Sequence, residues 1–383
     1  MDAVVIGGGI VGLASAYYLR ERGVSVTLLE KGTIAGGNTG RANGGIRAQF
    51  TSPVSIRLSM ESIAVWERFE AEFETDIGYF RPGYLFVART DATANQLRKN
   101  VRTQREHGLD SEYLTPEEAT ERCPGLITTE YVGAAYRGED GFADPHLAAQ
   151  GYARAARNAG ADLRTGVEVT DIQHPDDRIR AVETTEGRID TDVVVNAAGV
   201  WAPEIAAMVD SQLPITPKRR QLVVAKPTQP LDRNVPMTVD MDGDVHFRPE
   251  RDGTAIVGGF FADRDPPADP DRFDRGMDQA WARTAIERAT ECATYFGPDT
   301  RIAEGWAGLY AVTPDHHPII EETVPGLITA AGFSGHGFMQ APATGQVVAE
   351  LAVDGESRTV DVSMLDRGRF DRGEALEEGT VID

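Results

Sequence analysis

The stretch that decides the fold is Asp2-Ala3-Val4-Val5-Ile6-Gly7-Gly8-Gly9-Ile10-Val11-Gly12, followed closely by Val24-Ser25-Val26-Thr27-Leu28-Leu29-Glu30. Its two apolar runs predict strands over 2–6 and 24–29. Residues 13–22 between them have the apolar spacing of a helix, and Gly23 is placed to end it. The stretch therefore predicts a strand–helix–strand unit of the α/β class.

The glycines of this unit predict a dinucleotide site. Gly7 permits the tight turn, Gly9 lets the backbone approach a pyrophosphate, and Gly12 lets the helix pack closely on the strand. The pyrophosphate would lie at the helix N-terminus, where unpaired N–H groups favour an anion. Glu30 is placed to accept hydrogen bonds from a ribose and would repel a 2′-phosphate. A chance glycine loop is the alternative, and the flanking strands and the acid argue against it.

Composition limits the remaining possibilities. With 383 residues, the chain exceeds what one core normally supports, so we expect two domains. The 60 acidic and 38 basic residues give a net charge of −22, which argues against nucleic-acid and anionic-membrane partners. Only four of the basic residues are lysines. An ordinary acidic protein is one explanation, but acid excess with so few lysines favours a halophilic protein with a hydrated carboxylate surface.

Cysteines and targeting signals give negative expectations. Cys123 and Cys292 are too few for a disulfide framework or a cysteine-based metal site, so no metal is predicted. The first apolar run follows no basic segment and is soon interrupted by glycines, which argues against a signal peptide or a membrane span. We therefore expect a cytoplasmic protein.

The rest of the chain alternates between two predicted domains. Residues 32–45 form a glycine-rich loop suited to wrapping a ligand. Helices are predicted over 53–73, 93–107, 146–159, 277–295 and 340–353, and one begins near Thr115. Strands are predicted over 80–88, 167–172, 179–184, 191–195, 221–225, 245–247, 255–258 and 327–331, with a solvated loop over 263–274.

Five motifs in order carry a family resemblance. They are the opening unit, Gly44-Gly45-Ile46-Arg47-Ala48-Gln49-Phe50, Val195-Asn196-Ala197-Ala198-Gly199-Val200-Trp201-Ala202, Thr313-Pro314-Asp315, and Gly332-Phe333-Ser334-Gly335-His336-Gly337-Phe338. Together they resemble the D-amino-acid-oxidase-type flavoproteins, and within them the β subunits of sarcosine oxidases and of dye-linked proline dehydrogenases. The resemblance implies a Rossmann-type FAD-binding domain (GR2-like) with an inserted substrate domain made of a mainly antiparallel sheet plus helices. We assign 1–79, 144–213 and 300–383 to the first domain and 80–143 and 214–299 to the second.

The resemblance also implies where an extended FAD would lie. Only one dinucleotide fingerprint is present, so the reductant is expected to be a small molecule rather than NAD(P)H. Covalent relatives use a cysteine at the position of Gly308, so non-covalent FAD is predicted. The residues implied for FAD binding are Gly7, Gly9, Ile10, Val11, Gly12, Glu30, Lys31, Asn38, Thr39, Arg41, Gly44, Gly45, Ile46, Val167, Ala198, Gly199, Trp201, Gly308, Gly335, His336, Gly337, Phe338 and Met339.

Four residues are candidates for the chemistry. Oxidation of an amino acid needs a cation for its carboxylate and a Cα–H aimed at the flavin. Arg47 is ranked first as that cation, and a phosphate or surface contact is its alternative. His246 and Arg248 share one face of a predicted strand, which either faces the substrate or is solvated. His336, in a glycine turn aimed at the ring, is expected to contact the flavin.

The expected activity is FAD-dependent oxidation of a secondary amine such as sarcosine or proline, or of a D-amino acid, to an imine. A 2-hydroxy-acid or glycerol-3-phosphate dehydrogenase and a non-catalytic partner or carrier subunit are the alternatives. Monomeric sarcosine oxidases carry a lysine that speeds reaction with oxygen, and Ile256 takes that position here, with Lys218 as the only substitute. We therefore expect a dehydrogenase that passes electrons to an acceptor protein, a second subunit or a quinone-like acceptor.

Overall fold

The computed structural model describes residues 1–262 and 264–380. Its helices are α1 Ile10–Glu21, α2 Pro53–Phe73, α3 Asp91–Glu106, α4 Pro116–Arg122, α5 Pro145–Asn158, α6 Ala202–Ala207, α7 Gln279–Cys292, α8 Gly337–Asp354 and α9 Gly368–Asp371. Its strands are β1 Asp2–Ile6, β2 Ser25–Glu30, β3 Gly45–Ile46, β4 Tyr84–Ala88, β5 Glu112–Leu114, β6 Gly133–Arg137, β7 Gly141–Phe142, β8 Asp162–Thr165, β9 Val169–Gln173, β10 Ala181–Thr184, β11 Gly187–Asp190, β12 Val193–Asn196, β13 Thr216–Lys226, β14 Met237–Asp240, β15 Val245–Pro249, β16 Ala255–Gly259, β17 Arg301–Val312, β18 Ile319–Val324 and β19 Leu327–Ala331.

The first sheet is built outward from the opening unit. Its strand order is β18-β19-β12-β1-β2-β8, and the strands are parallel except for the antiparallel edge strand β18. Alternate side chains of β1 face opposite layers. Ala3 and Val5 pack with α1, α2, α5 and α8, whereas Val4 and Ile6 pack with the three-stranded sheet β11-β10-β9. This three-layer arrangement confirms the predicted α/β class.

The second sheet covers the carboxyl end of the first. Its strand order is β17-β13-β16-β15-β14-β4-β6-β5, and its pairs are antiparallel except for β4 and β14. Helix α7 packs on one face, where Val223, Phe247 and Val257 are buried, and α3 packs on the other. The predicted mainly antiparallel sheet with helices is confirmed.

Several predicted elements differ from the observed ones. The strand predicted over 80–88 begins only at Tyr84, because Pro82 has no N–H to donate and Gly83 has φ +95°. The strands that were not predicted are β3, β5, β6, β7, β8, β11, β14, β17 and β18. Strand β17, which the predicted division places in the first domain, pairs with β13 of the second sheet. Asp263, at the start of the predicted loop, lies outside the described residues, and the division into domains stays a prediction.

Candidate active site

A cavity of about 640 Å³ lies between the carboxyl edge of the first sheet and the second sheet. The turn between β1 and α1, the segment 32–45, the start of α8 and strands of the second sheet line it. Every residue predicted to bind the cofactor lines this cavity except Gly12 and Ile46. A Cβ on Gly12 would lie 2.0 Å from the Gly7 carbonyl oxygen, so Gly12 permits the helix–strand contact, and Ile46 is buried in the core.

One end of the cavity, here called the dinucleotide end, surrounds the start of α1. Gly7 has φ +113°, and a Cβ there would lie 2.5 Å from the Ala197 carbonyl oxygen. Helix α1 begins without a side-chain cap, although the Ile10 N–H donates to Thr39 Oγ1 at 3.1 Å. Unpaired N–H groups at a helix N-terminus bind anions. The residues at this end therefore fit a pyrophosphate.

Glu30 is held rigidly at the end of β2. Its two carboxylate oxygens accept hydrogen bonds from the N–H groups of Gly8 and Gly32, each at 2.7 Å. A carboxylate oxygen has more than one lone pair, so capacity remains for ribose hydroxyls. The ribose contact of Glu30 stays a prediction.

Positive charge also collects at the dinucleotide end. Arg41 and Arg275 both line the cavity, and burial together with the charge of Arg275 lowers the pKa of Arg41. A bound phosphate anion would offset that repulsion. Lys31 lies 4.1 Å over the Trp201 ring, and both donate to Asp271 at 3.0 Å. A loop between β16 and α7 thus reaches across to the dinucleotide site.

The opposite end, here called the substrate end, contains Arg47. Its guanidinium donates to the carbonyl oxygen of Gln49, to Thr380 Oγ1 at 3.0 Å and to the Thr380 carbonyl oxygen at 3.1 Å. Nη2 lies 3.3 Å from His336 Nε2, and the guanidinium lies 4.1 Å over the Phe50 ring. Arg47 lines the cavity. Most of its N–H donors, however, already donate to protein oxygen atoms.

The two histidines of the substrate end are held neutral. Burial, followed by the charge of Arg47, holds the pKa of His336 well below its usual range. Burial and the charge of Arg248 lower the pKa of His246 to about 4. Gly258 makes room for this ring, because a Cβ there would lie 2.4 Å from His246 Nε2. Near neutral pH, each ring carries one N–H and one acceptor nitrogen.

Arg248 is the one catalytic candidate that does not line the cavity. Its Nε donates to the carbonyl oxygen and to Oδ1 of Asn43 at 3.0 and 2.9 Å, and Nη1 lies 2.6 Å from Glu250. The side chain is buried, and its guanidinium lies 4.7 Å over the Phe142 ring. Arg248 thus holds the glycine-rich loop near Asn43 against the second sheet.

The structure also brings residues to this end that the sequence reasoning did not select. Arg220, Phe260, Tyr310 and Thr380 line the cavity together with an apolar wall that includes Phe86. The alternation of side chains along 216–226 could have placed Arg220 on the face of Lys218, but it could not show which face meets a ligand.

Other kinds of site are not found in the described part of the chain. No group of His, Cys, Asp and Glu side chains in residues 1–262 and 264–380 could hold a metal ion. Cys123 and Cys292, the last residue of α7, are both buried in the core that α7 forms with the second sheet, and neither lines the cavity. No described helix is both long and apolar enough to span a membrane.

Comparisons with known proteins agree with this geometry. The chain is 28% identical to sarcosine oxidase subunit beta of Arthrobacter sp., across 98% of this chain and 93% of the relative. It is 30% identical to glycine oxidase of Geobacillus kaustophilus, across 91% of this chain and 92% of the relative. The crystal structure of L-proline dehydrogenase from P. horikoshii has a TM-score of 0.90 at 34% identity and covers 98% of this chain and 99% of its own. Residues 2–351 match the model of the DAO family, described as FAD dependent oxidoreductase, and the chain belongs to this family of FAD-binding enzymes.

Proposed function

We propose that this protein oxidises a small amine or amino acid, such as sarcosine, proline or a D-amino acid, to an imine. The observation that carries this proposal is a cavity whose dinucleotide end fits FAD and whose other end combines guanidinium groups with two neutral histidines. Relatives named for sarcosine, glycine and proline support an amino-acid-like substrate.

Bound FAD would supply the electron chemistry, as the acceptor of a hydride from the carbon next to nitrogen. At the dinucleotide end, Glu30 would accept from the ribose hydroxyls and the start of α1 would hold the pyrophosphate. Helix α8 begins at the substrate end, and the side chain of its N-cap residue, His336, makes no capping hydrogen bond to the first turn. The N-terminus of α8 therefore favours negative charge on a ligand at this end.

The residues of the substrate end would orient the amine. His246 is neutral above a pH of about 4, so its unprotonated ring nitrogen can accept a hydrogen bond from an N–H group of the substrate. Arg47 holds His336 in place through its contact with Nε2. The apolar side chains Tyr84, Phe86, Met237 and Val239 form the wall against which an aliphatic substrate would pack and exclude water.

A dehydrogenase is favoured over an oxidase. Ile256 does not line the cavity, and the ammonium group of Lys218 is bound to the carbonyl oxygen of Asp265. Lys31, at the dinucleotide end, is the one lysine of the described residues that lines the cavity. With no lysine at the substrate end of the described cavity, we propose a second subunit or a quinone-like molecule as acceptor. Stopped-flow mixing of reduced enzyme with aerated buffer tests this, and reoxidation as fast as dye-coupled turnover would refute it.

An anaerobic screen tests the proposed reaction itself. Sarcosine, proline, D-amino acids, 2-hydroxy acids and glycerol 3-phosphate are each mixed with the oxidised enzyme, and flavin absorbance is followed. Bleaching by an amine or amino acid supports the proposal. Bleaching by hydroxy acids alone favours the alternative dehydrogenase, and a colourless purified protein favours the non-catalytic subunit. Acid precipitation of the yellow protein should leave the colour in the supernatant, because FAD is proposed to be non-covalent.

A further inference from the structure

Arg220 brings a second guanidinium to the substrate end. It lies on β13 opposite Gly308 of β17 and lines the cavity. Its guanidinium carbon lies 4.4 Å over the Phe260 ring and 5.7 Å over the Tyr310 ring. A Cβ on Gly335 would lie 2.4 Å from the Tyr310 ring, so Arg220 is linked through Tyr310 to the turn before α8. Arg220 therefore belongs to the same end of the cavity as Arg47 and His336.

The partner of Arg220 is already a carboxylate. Nη1 and Nη2 donate to the two oxygens of Asp265 at 2.8 and 3.0 Å, and Lys218 Nζ lies 3.5 Å from Oδ2. Burial alone would raise the pKa of Asp265, but the hydrogen bonds and charge of Arg220 lower it below its usual value. This forked pairing is the arrangement in which a guanidinium binds an amino-acid carboxylate.

The Asp265 carboxylate is also placed to move off Arg220, although Lys218 holds the main-chain carbonyl oxygen of Asp265. It lies on the irregular segment between β16 and α7, and 29% of its side chain is exposed. Water therefore reaches the carboxylate, and a ligand carboxylate of the same charge and shape could compete with it for the guanidinium. Exchange of the Asp265 carboxylate for a ligand carboxylate would keep both carboxylate hydrogen bonds of Arg220 and its third one, from Nη1 to the Arg219 carbonyl oxygen at 3.1 Å. Exchange at Arg47 would instead break hydrogen bonds to the Gln49 and Thr380 carbonyl oxygens.

We propose that Arg220 binds the substrate carboxylate directly and that Asp265 occupies its guanidinium while the substrate is absent. That the bound carboxylate belongs to the substrate rests on the proposed oxidation of an amino acid. Arg47 is then a positioning residue, which holds His336 and the segment around Thr380. Carboxylates would bind in competition with Asp265, so Arg220 and Asp265 would affect their affinity in opposite directions.

The test is a titration of the oxidised FAD-bound enzyme with propionate, followed by flavin absorbance and by calorimetry. Arg220→Gln should raise the Kd for propionate by about tenfold or more, the effect of losing one charge-assisted contact. Asp265→Asn should lower that Kd. Arg219→Gln is the matched control, because Arg219 is the neighbouring arginine, does not line the cavity and is paired with Asp278.

Three outcomes would overturn the assignment. They are no propionate binding to the wild-type enzyme, an unchanged Kd in Arg220→Gln, and a weaker affinity in Asp265→Asn. Turnover supplies a second comparison. Arg220→Gln should lower kcat/KM for an amino acid and leave kcat/KM unchanged for an amine that lacks a carboxylate. Equal losses of kcat/KM for both substrates would mean that Arg220 has a structural role. If Arg220 controls propionate binding but no amine or amino acid bleaches the flavin, the assignment stands and the proposed function fails.

Discussion

The two ends of the cavity are built differently from the chain. At the dinucleotide end, most of the lining comes from one stretch, 6–45. The groups that would bind the pyrophosphate and the ribose are main-chain N–H groups and one carboxylate, with Arg41 and Arg275 adding positive charge. At the substrate end, Arg47, Arg220, His246, His336 and Thr380 come from distant parts of the sequence. The first end therefore depends on backbone conformation, whereas the second depends on single side chains. Substitutions at the dinucleotide end should therefore change the flavin content, whereas substitutions at the substrate end should change the kinetics with the substrate.

The largest effect is expected from Gly7→Ala. A Cβ at this position would lie 2.5 Å from the Ala197 carbonyl oxygen, and the φ of +113° is unfavourable for any other residue. We expect the variant to lose its FAD, measured as the ratio of flavin to protein absorbance. Gly23→Ala is the matched control, because φ there is +78° but nothing lies within 4 Å of the new methyl group. A Gly7→Ala protein that keeps a full complement of flavin would contradict the backbone account of this end.

The same difference explains what the sequence could predict. The strand, glycine turn, helix and Glu30 follow one another, so local rules place them without knowledge of the rest of the fold. Arg220 and Thr380 reach the substrate end only through the pairing of β13 with β17 and the path of the residues that follow α9. Side-chain alternation showed that His246 and Arg248 share a strand face, but the sheet order and the Asn43 contact decide that only His246 lines the cavity.

Arg47→Gln sharpens the comparison at the substrate end. We expect full flavin content and a loss of roughly ten- to hundredfold in kcat/KM, the scale of charge-assisted hydrogen bonds. Because the charge of Arg47 adds to the lowering of the His336 pKa, its removal should raise that pKa and move the acid limb of the pH–rate profile upward. A loss confined to KM, with an unchanged profile, would show that Arg47 itself binds the carboxylate.

Salt addresses a property that the two ends share. Sixty acidic residues repel one another, and the Debye length falls from about 10 Å at 0.1 M to about 3 Å at 1 M. We expect KCl to raise the melting temperature, by roughly 1 °C for each kcal/mol of repulsion removed from a chain of this length. Sucrose at the same osmolality is the control for general solvent effects. A melting temperature indifferent to KCl would contradict the halophilic interpretation.

The smallest effect is expected from His246 on the pH dependence of stability. The pKa of His246 is about 4 in the folded protein, below the value of about 6.5 expected in the unfolded chain. Between these two values the unfolded state binds more protons, so the free energy of unfolding decreases as pH falls from about 6.5 to about 4.

His246→Gln should remove this contribution and reduce the drop in melting temperature between pH 7.5 and pH 5, measured by calorimetry at fixed salt. His146→Gln, at an exposed position away from the cavity, is the matched control. The pKa of His336 is also lowered, and His336 remains in the variant, so the drop in melting temperature should shrink without disappearing. An unchanged drop in His246→Gln would mean that the ring is not held neutral at the substrate end, and the role of His246 as acceptor of a substrate N–H would fail with it.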